Sequence, residues 1–301
     1  MNRVHILTDS TSDIPRDVAE RLHITVVPAY IQFGNHSYRD DASSEGLGRE
    51  EFYTRLPTMT DVPTTAVPSA HDFATAYRNL AGEAGEVIAI IVSASLSGMY
   101  DVARIAAQEA SAQEASAQEA SAQESSAQQA PELKVHVVDS EQLTMGLGWM
   151  VVAAAEAAAD GKSAPEILDL LEEMKSRVHV YAMLDTLEYV RRGGRVGWAR
   201  AKAAQVLRIK PIMKVTRGDV IEQGRTRTRR RAIKQLIKLV RALGPLERLA
   251  VLHTCSPDLA QFQRRLADLC SLEYLPTVAV TTIIGAHVGP RGLGVAAVAA
   301  K

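Results

Sequence analysis

Three short apolar runs each break into polar residues where a buried strand would end. Val4 to Leu7 gives way to Thr8-Asp9-Ser10, Val87 to Val92 to Ser93-Ala94-Ser95, and Val135 to Val138 to Asp139-Ser140. Segments of helical character lie near Pro15 to Leu22, Ser69 to Leu80 and Met145 to Ala159. Apolar strands alternating with helices point to a parallel sheet covered by helices on both faces, an α/β/α arrangement. Ligands of such sheets sit beyond the carboxyl ends of the strands, where the hydroxyls and carboxylates of this chain fall. Pro15 suits a first helical position, and Ser69 with Asp72 reads as a capping box.

The segment Gly161-Lys162-Ser163-Ala164-Pro165-Glu166 divides the chain. Gly161 can end one helix, and Ser163 with Glu166 can cap the next. The expected organisation is an N-terminal three-layer α/β domain over residues 1–160 and a C-terminal α/β domain over residues 161–301. Strands are expected in the second half near Val178 to Met183, Pro211 to Val215 and Leu249 to His253. A Gly218-Asp219 turn into Val220 to Glu222 suggests a hairpin, so the second sheet is expected to be mixed.

Residues 107–130 stand apart. Ala-Gln-Glu-Ala-Ser repeats four times from Ala107 with one late change, then decays through Ala127-Gln128-Gln129-Ala130. These residues favour helix. A period of five keeps no single face of a 3.6-residue helix, and no large apolar side chain is there to bury. The expectation is an inserted repeat that lengthens an exposed helix.

The bulk numbers exclude several classes. A net charge of -1 over 301 residues gives no global attraction to nucleic acid or an anionic membrane. Two cysteines, Cys255 and Cys270, make neither a disulfide framework nor a zinc site. No apolar run approaches the ~18 residues of a membrane span, and Met1 to Asp9 lacks the regions of a signal peptide. A soluble, cytoplasmic chain without metal or cofactor is expected. The one dense basic stretch, Arg225, Arg227, Arg229, Arg230, Arg231, Lys234 and Lys238, carries no aromatic residue for stacking on bases.

Ser93 to Gly98 is the segment richest in chemistry. Serines and a glycine between a buried strand and a helix collect hydroxyls and free backbone N–H groups, which favour an anion. No phosphate-loop Lys and no Gly-x-Ser-x-Gly elbow accompanies them. Ser97 and Gly98 also suit a plain helix cap, and Thr65, between Pro63 and Pro68, suits an ordinary turn. Asp9 would repel a bound carboxylate and is read as orienting neighbouring donors.

Several separated motifs together resemble the DegV family: Thr8-Asp9-Ser10-Thr11-Ser12-Asp13-Ile14-Pro15, Pro63 to Ser69, Leu96-Ser97-Gly98-Met99-Tyr100, Asp139-Ser140, Leu187 to Val196 with Lys210-Pro211-Ile212, and Gly285 to Pro290. The resemblance implies a two-domain, fatty-acid-binding carrier with the acyl chain in a tunnel between the domains. It implies carboxylate-binding roles for Thr65, Ser97, Gly98 and His287, with Arg195 as a supporting cation. It further implies that the bound acid is presented to a separate fatty-acid kinase subunit, with Arg227 as a partner contact; a monomer is expected. Met99 stands where the family has threonine, and Ala66-Val67 where it has Ser-Gln, so the cradle is more apolar here. The alternative from another class is a Ser-His acyl hydrolase using Ser97 and His287, although nothing in the sequence supplies a third member.

Overall fold

The computed structural model describes residues 4–41, 47–59, 63–81, 85–122, 133–197, 209–267 and 275–301. Strand β1 (Val4–Asp9) runs through a 3-10 turn (Ser10–Ser12) into helix α1 (Arg16–Arg21) and strand β2 (Thr25–Val27). A small antiparallel unit follows, with β3 (Tyr30–Phe33), β4 (His36–Arg39), helix α2 (Arg49–Arg55) and β5 (Thr64–Ala66). Helix α3 (Ala70–Ala81), β6 (Glu86–Ile91), helix α4 (Met99–Ala122), β7 (Lys134–Asp139) and helix α5 (Thr144–Ala159) complete the first half.

The first sheet is parallel, in the order β2-β1-β6-β7, with Ile6 opposite Ile88 and Ile88 opposite His136. Val87 to Ile91 are fully buried, as a central strand covered on both faces requires. The second half holds α6 (Ala164–Arg177), β8 (Val178–Met183), α7 (Glu188–Gly193), β9 (Lys210–Thr216), β10 (Asp219–Thr226) and α8 (Arg229–Arg241). It continues with β11 (Leu246–His253), α9 (Leu259–Ala267), β12 (Thr277–Ala279), α10 (Thr282–Val288) and β13 (Leu293–Ala299). Its sheet has the order β10-β9-β8-β13-β11-β12 and is mixed, only the β11–β12 pair being parallel. A third sheet, β4-β3-β5, is antiparallel. The α/β class with one parallel and one mixed sheet is as expected.

Local signals hold where they are strong. The Ser69–Asp72 and Ser163–Glu166 boxes both form. Gly161 follows α5 with a φ of 81°. The expected β9–β10 hairpin forms, its turn one residue earlier than expected, through Arg217 and Gly218, both at positive φ, with Asp219 already in the strand. Pro15 is the N-cap of α1 rather than its first helical residue; its carbonyl accepts from Val18 and Ala19. The β4-β3-β5 sheet, β12 and β13 are not among the expected strands, although Gly34-Asn35 between β3 and β4 is a two-residue hairpin signal.

The repeat is the main departure. Ala106, Ala107 and Ala110 are buried in the main core, so the start of the repeat is packed rather than on an exposed helix. Their methyl groups bury little area, but small residues let α4 lie close to α3 and β7, which a bulky face would prevent. The tail of the repeat, residues 123–130, lies outside the described residues.

Helix α5 joins the halves. It packs on β1 of the first sheet and on β8 and β13 of the second, and Trp149 donates its indole N–H to the Ala296 carbonyl at 3.0 Å. One apolar core runs from Ile88 in the first sheet to Val215 and Ala296 in the second.

Candidate functional site

At the carboxyl end of β6 the chain folds into a tight turn, with the N–H groups of Leu96 and Ser97 both donating to the Ser93 carbonyl at 3.0 and 3.1 Å. The Ser93 hydroxyl donates to the Gly218 carbonyl at 2.8 Å, which clasps this turn to the tip of the β9–β10 hairpin. Ser97 accepts the Met99 N–H at 3.2 Å and so begins α4 as a cap does. A side chain at Gly98 would meet no atom within 4 Å; glycine there leaves space open at the helix start.

Asp9 closes β1 and is fully buried. Its carboxylate accepts from the Thr11 N–H at 2.9 Å and, across the sheet, from the Val92 N–H at 2.9 Å. It therefore sets the two strand ends that bear Thr11 and Val92, as the orienting reading has it. Burial pushes the Asp9 carboxyl above the ordinary carboxylate range, against the hydrogen bonds that lower it.

Thr65 on β5 and His287 in the last turn of α10 meet, with Thr65 Oγ1 3.3 Å from His287 Nε2. Among the described residues, Nδ1 of His287 is buried without a hydrogen-bond partner. It abuts Gly193, where a Cβ would stand 2.2 Å from it. Burial, and then the nearby Arg195 charge, hold the His287 pKa down to about 4, so the ring is neutral at pH 7. With no acceptor facing Nδ1, the ring proton is best placed on Nε2, pointing toward Thr65 and the cavity. Arg195 follows Gly194, which ends α7 at a φ of 68°. Its guanidinium is exposed and donates to the Gly193 carbonyl at 3.2 Å.

Thr65, Ser97, Gly98, Arg195 and His287 line one cavity of about 370 Å³, within the size range of small-molecule pockets. The rest of the lining is largely aliphatic and comes from both halves: Val92, Met99 and Leu143 from the first, and Val180, Met213 and Val220 from the second. Among the described lining residues there is no carboxylate and no Phe, Tyr or Trp; the only formal cation is Arg195. Such a cavity favours an aliphatic ligand with an anionic end. Arg227 is exposed and lies outside the lining. Its neighbours in the basic run are taken up, Arg225 by Glu222 and Arg229 by Asp185 and Asp258.

The hydrolase arrangement is not assembled. Ser97 serves the backbone of Met99, His287 faces Thr65, and among the described residues no carboxylate orients the imidazole at Nδ1, as a triad would require. Cys255 is free, and burial raises its thiol pKa, which removes thiolate rather than supplying it. Cys270 lies outside the described residues. No group able to hold a metal ion occurs among the described residues. Sequence reasoning missed Thr11 and the aliphatic lining from β8, β9 and β10, because in sequence a tunnel wall reads as ordinary core.

A family model described as "Uncharacterised protein, DegV family" matches residues 3–300. A DegV domain-containing protein of Streptomyces coelicolor is 33% identical over 299 residues, covering 97% of each chain. A solved structure described as "Fatty Acid Binding of a DegV family Protein from Thermus thermophilus" is 30% identical, with a TM-score of 0.84 and coverage of 99% of this chain and 100% of that one. Another, DegV of Bacillus subtilis, described as a fatty acid binding protein, is 26% identical with a TM-score of 0.82 over 100% of both chains. No helix among the described residues is long and apolar enough to cross a membrane. By sequence over nearly its whole length and by fold, this chain belongs to the DegV family.

Proposed function

We propose that this protein is a non-catalytic carrier that binds a long-chain fatty acid in the cavity between its two halves. One observation carries the reading: a largely aliphatic cavity with no carboxylate, Phe, Tyr or Trp among its described lining residues, into which hydroxyls, a neutral histidine and one arginine converge. Each methylene taken from water contributes roughly 0.8 kcal/mol, so the tail supplies most of the affinity. A carboxylate buried without partners costs several kcal/mol. Thr65, Ser97, the N–H groups beside Gly98 and His287 Nε2–H offset that cost through charge-assisted hydrogen bonds. Arg195 adds a favourable charge at the rim. The arriving carboxylate raises the His287 pKa, since an opposite charge favours the imidazolium. The fatty-acid-binding descriptions of the Thermus and Bacillus structures support the same ligand class.

The reading extends to a division at residue 160/161, a monomer working in the cytoplasm, and presentation of the acid to a fatty-acid kinase subunit with Arg227 at the contact. Native mass spectrometry of the purified protein tests the ligand: a mass increment matching a long-chain acid, removed by delipidation and restored by added oleate, is expected. An apoprotein that takes up no acid overturns the reading. A p-nitrophenyl acyl ester tests the absence of hydrolysis; turnover abolished by Ser97→Ala would return the hydrolase.

A further inference from the structure

Helix α10 spans seven residues, Thr282–Val288, too few for an isolated helix to hold its own shape. Yet it must deliver His287 to within reach of Thr65. Its anchor is Thr281, the N-cap, whose hydroxyl accepts the Ile283 N–H at 3.3 Å. Thr281 in turn is held by the first sixty residues of the chain. Its N–H donates to Asp13 at 2.8 Å, its hydroxyl donates to Asp40, and its carbonyl accepts from the Tyr53 hydroxyl at 3.3 Å. Tyr53 also donates to the Val280 carbonyl at 2.8 Å, and Arg49 to the Ala279 carbonyl.

Asp13 is buried and Asp40 half-buried, and neither lines the cavity. Asp13 also accepts from the Thr144 hydroxyl at 2.6 Å and faces Arg49 at 3.2 Å, while Asp40 also takes hydroxyl bonds from Ser10 and Thr282. The two carboxylates thus tie the turn after β1, the end of β4 and the start of α5 to the start of α10. From Thr281 to His287 is six residues, about 9 Å along a helix. We propose that Asp13 and Asp40 are positioning residues, which hold the N-cap of α10 so that His287 meets the ligand's carboxylate beside Thr65.

A purely stabilising role fits poorly. Burial raises both carboxyls, Asp13 to about 6, so burial works against their ionised forms. A buried ion pair replaced as a whole by apolar residues often loses no stability. What an apolar residue cannot supply is an acceptor aimed at the N–H and the hydroxyl of Thr281.

The inference rests on the carboxylate-binding reading of this cavity, and the experiment separates the two. Affinities for a fatty acid and for the alcohol of equal chain length are measured by titration calorimetry on wild type, Asp13→Ala, Asp13→Asn, Thr281→Val, His287→Ala and Asp13→Ala/His287→Ala. Circular dichroism confirms that each variant is folded. Asp13→Ala and Thr281→Val are expected to weaken acid binding about tenfold or more while leaving alcohol binding within about twofold. Asp13→Asn, which keeps an acceptor for the Thr281 N–H, is expected to restore most of the acid affinity. In the His287→Ala background, Asp13→Ala should add little, because its effect passes through the histidine. Equal losses for acid and alcohol, or full additivity in the double variant, overturn the positioning role. Should Asp13→Ala fail to fold, Thr281→Val decides the matter by the same acid-to-alcohol ratio. A wild-type protein that binds no acid, or His287→Ala binding it normally, refutes the carboxylate reading instead.

Discussion

His287 is held as a neutral base, its pKa lowered from 6.5 to about 4 by burial and by Arg195. Between those values the unfolded chain binds a proton that the folded ring refuses, so the His287 contribution to stability rises with pH across that window. Asp13 acts in the opposite sense: its pKa is raised from 3.8 to about 6, and its contribution falls as pH rises between them. The two slopes offset each other in the wild-type profile. Replacing the ring exposes one of them: between pH 7 and 4.5, His287→Gln should lose about 2–3 kcal/mol less stability than wild type, measured by urea unfolding of the delipidated protein. Parallel profiles for the two proteins would place the imidazole in solvent. For a carboxylate held in the proposed cradle, Ser97→Ala and His287→Ala would each remove one hydrogen bond to a charged group, which costs roughly 1.5–3 kcal/mol. Calorimetric titration should show affinity lowered about ten- to a hundredfold in each variant, and unchanged affinity in both would displace the head group from this cradle.

Helix α4 shows how a low-complexity element is divided by what it touches. Its start is set by Ser97, and its first two turns and more are core, through Met99, Ala103, Ala106 and Ala110. Ala110 has no room for added methylenes. Ala110→Leu should cost about 1–3 kcal/mol by overpacking, visible as a lowered urea midpoint at constant slope. Excision of residues 112–126, which carry no large apolar side chain, should leave thermal stability and fatty-acid affinity close to wild type, since long surface segments cost little closure entropy. A large fall in melting temperature on that excision would make the repeat part of the packed structure. The hairpin β9–β10 meets the cradle differently, through the Ser93–Gly218 clasp; it brings Met213, Val215 and Val220 to the cavity wall.

Across the whole molecule, the two halves are built on separate sheets yet share α5, one core and the cavity. A ligand lying there touches both, so loading should raise the melting temperature in proportion to the logarithm of free acid concentration above Kd. Transfer to a partner is a surface property by contrast. Arg227 is exposed, while its neighbours Arg225 and Arg229 are held in ion pairs; exposed arginines contribute little to folding but often dominate interfaces. Arg227→Ala should leave fatty-acid affinity unchanged and slow acyl-phosphate formation with a cognate kinase subunit. The gap to wild type should depend on ionic strength, because a surface charge acts through screened attraction. Wild-type rates at every salt concentration would remove Arg227 from the contact.

Periodicity and capping residues were enough to define the parallel core strands, the β9–β10 hairpin and the boxes at Ser69 and Ser163, because those signals act between residues a few positions apart. They could also mark Ser93 to Gly98 as an anion-friendly strand end. Motif resemblance, rather than periodicity, named Thr65, Arg195 and His287. The meeting of Thr65 with His287, 222 residues later, has no local signature. It depends on a seven-residue helix held at Thr281 by Asp13 and Asp40. The aliphatic wall was equally hidden: Val180, Met213 and Val220 have the composition of any buried strand, and only the closure of one sheet against the other leaves an opening beside them. The burial of Ala107 and Ala110 ran against the repeat's polar pattern for the same reason. What an alanine touches is set by how close the neighbouring helix and strand come, and that distance is a property of the packed whole.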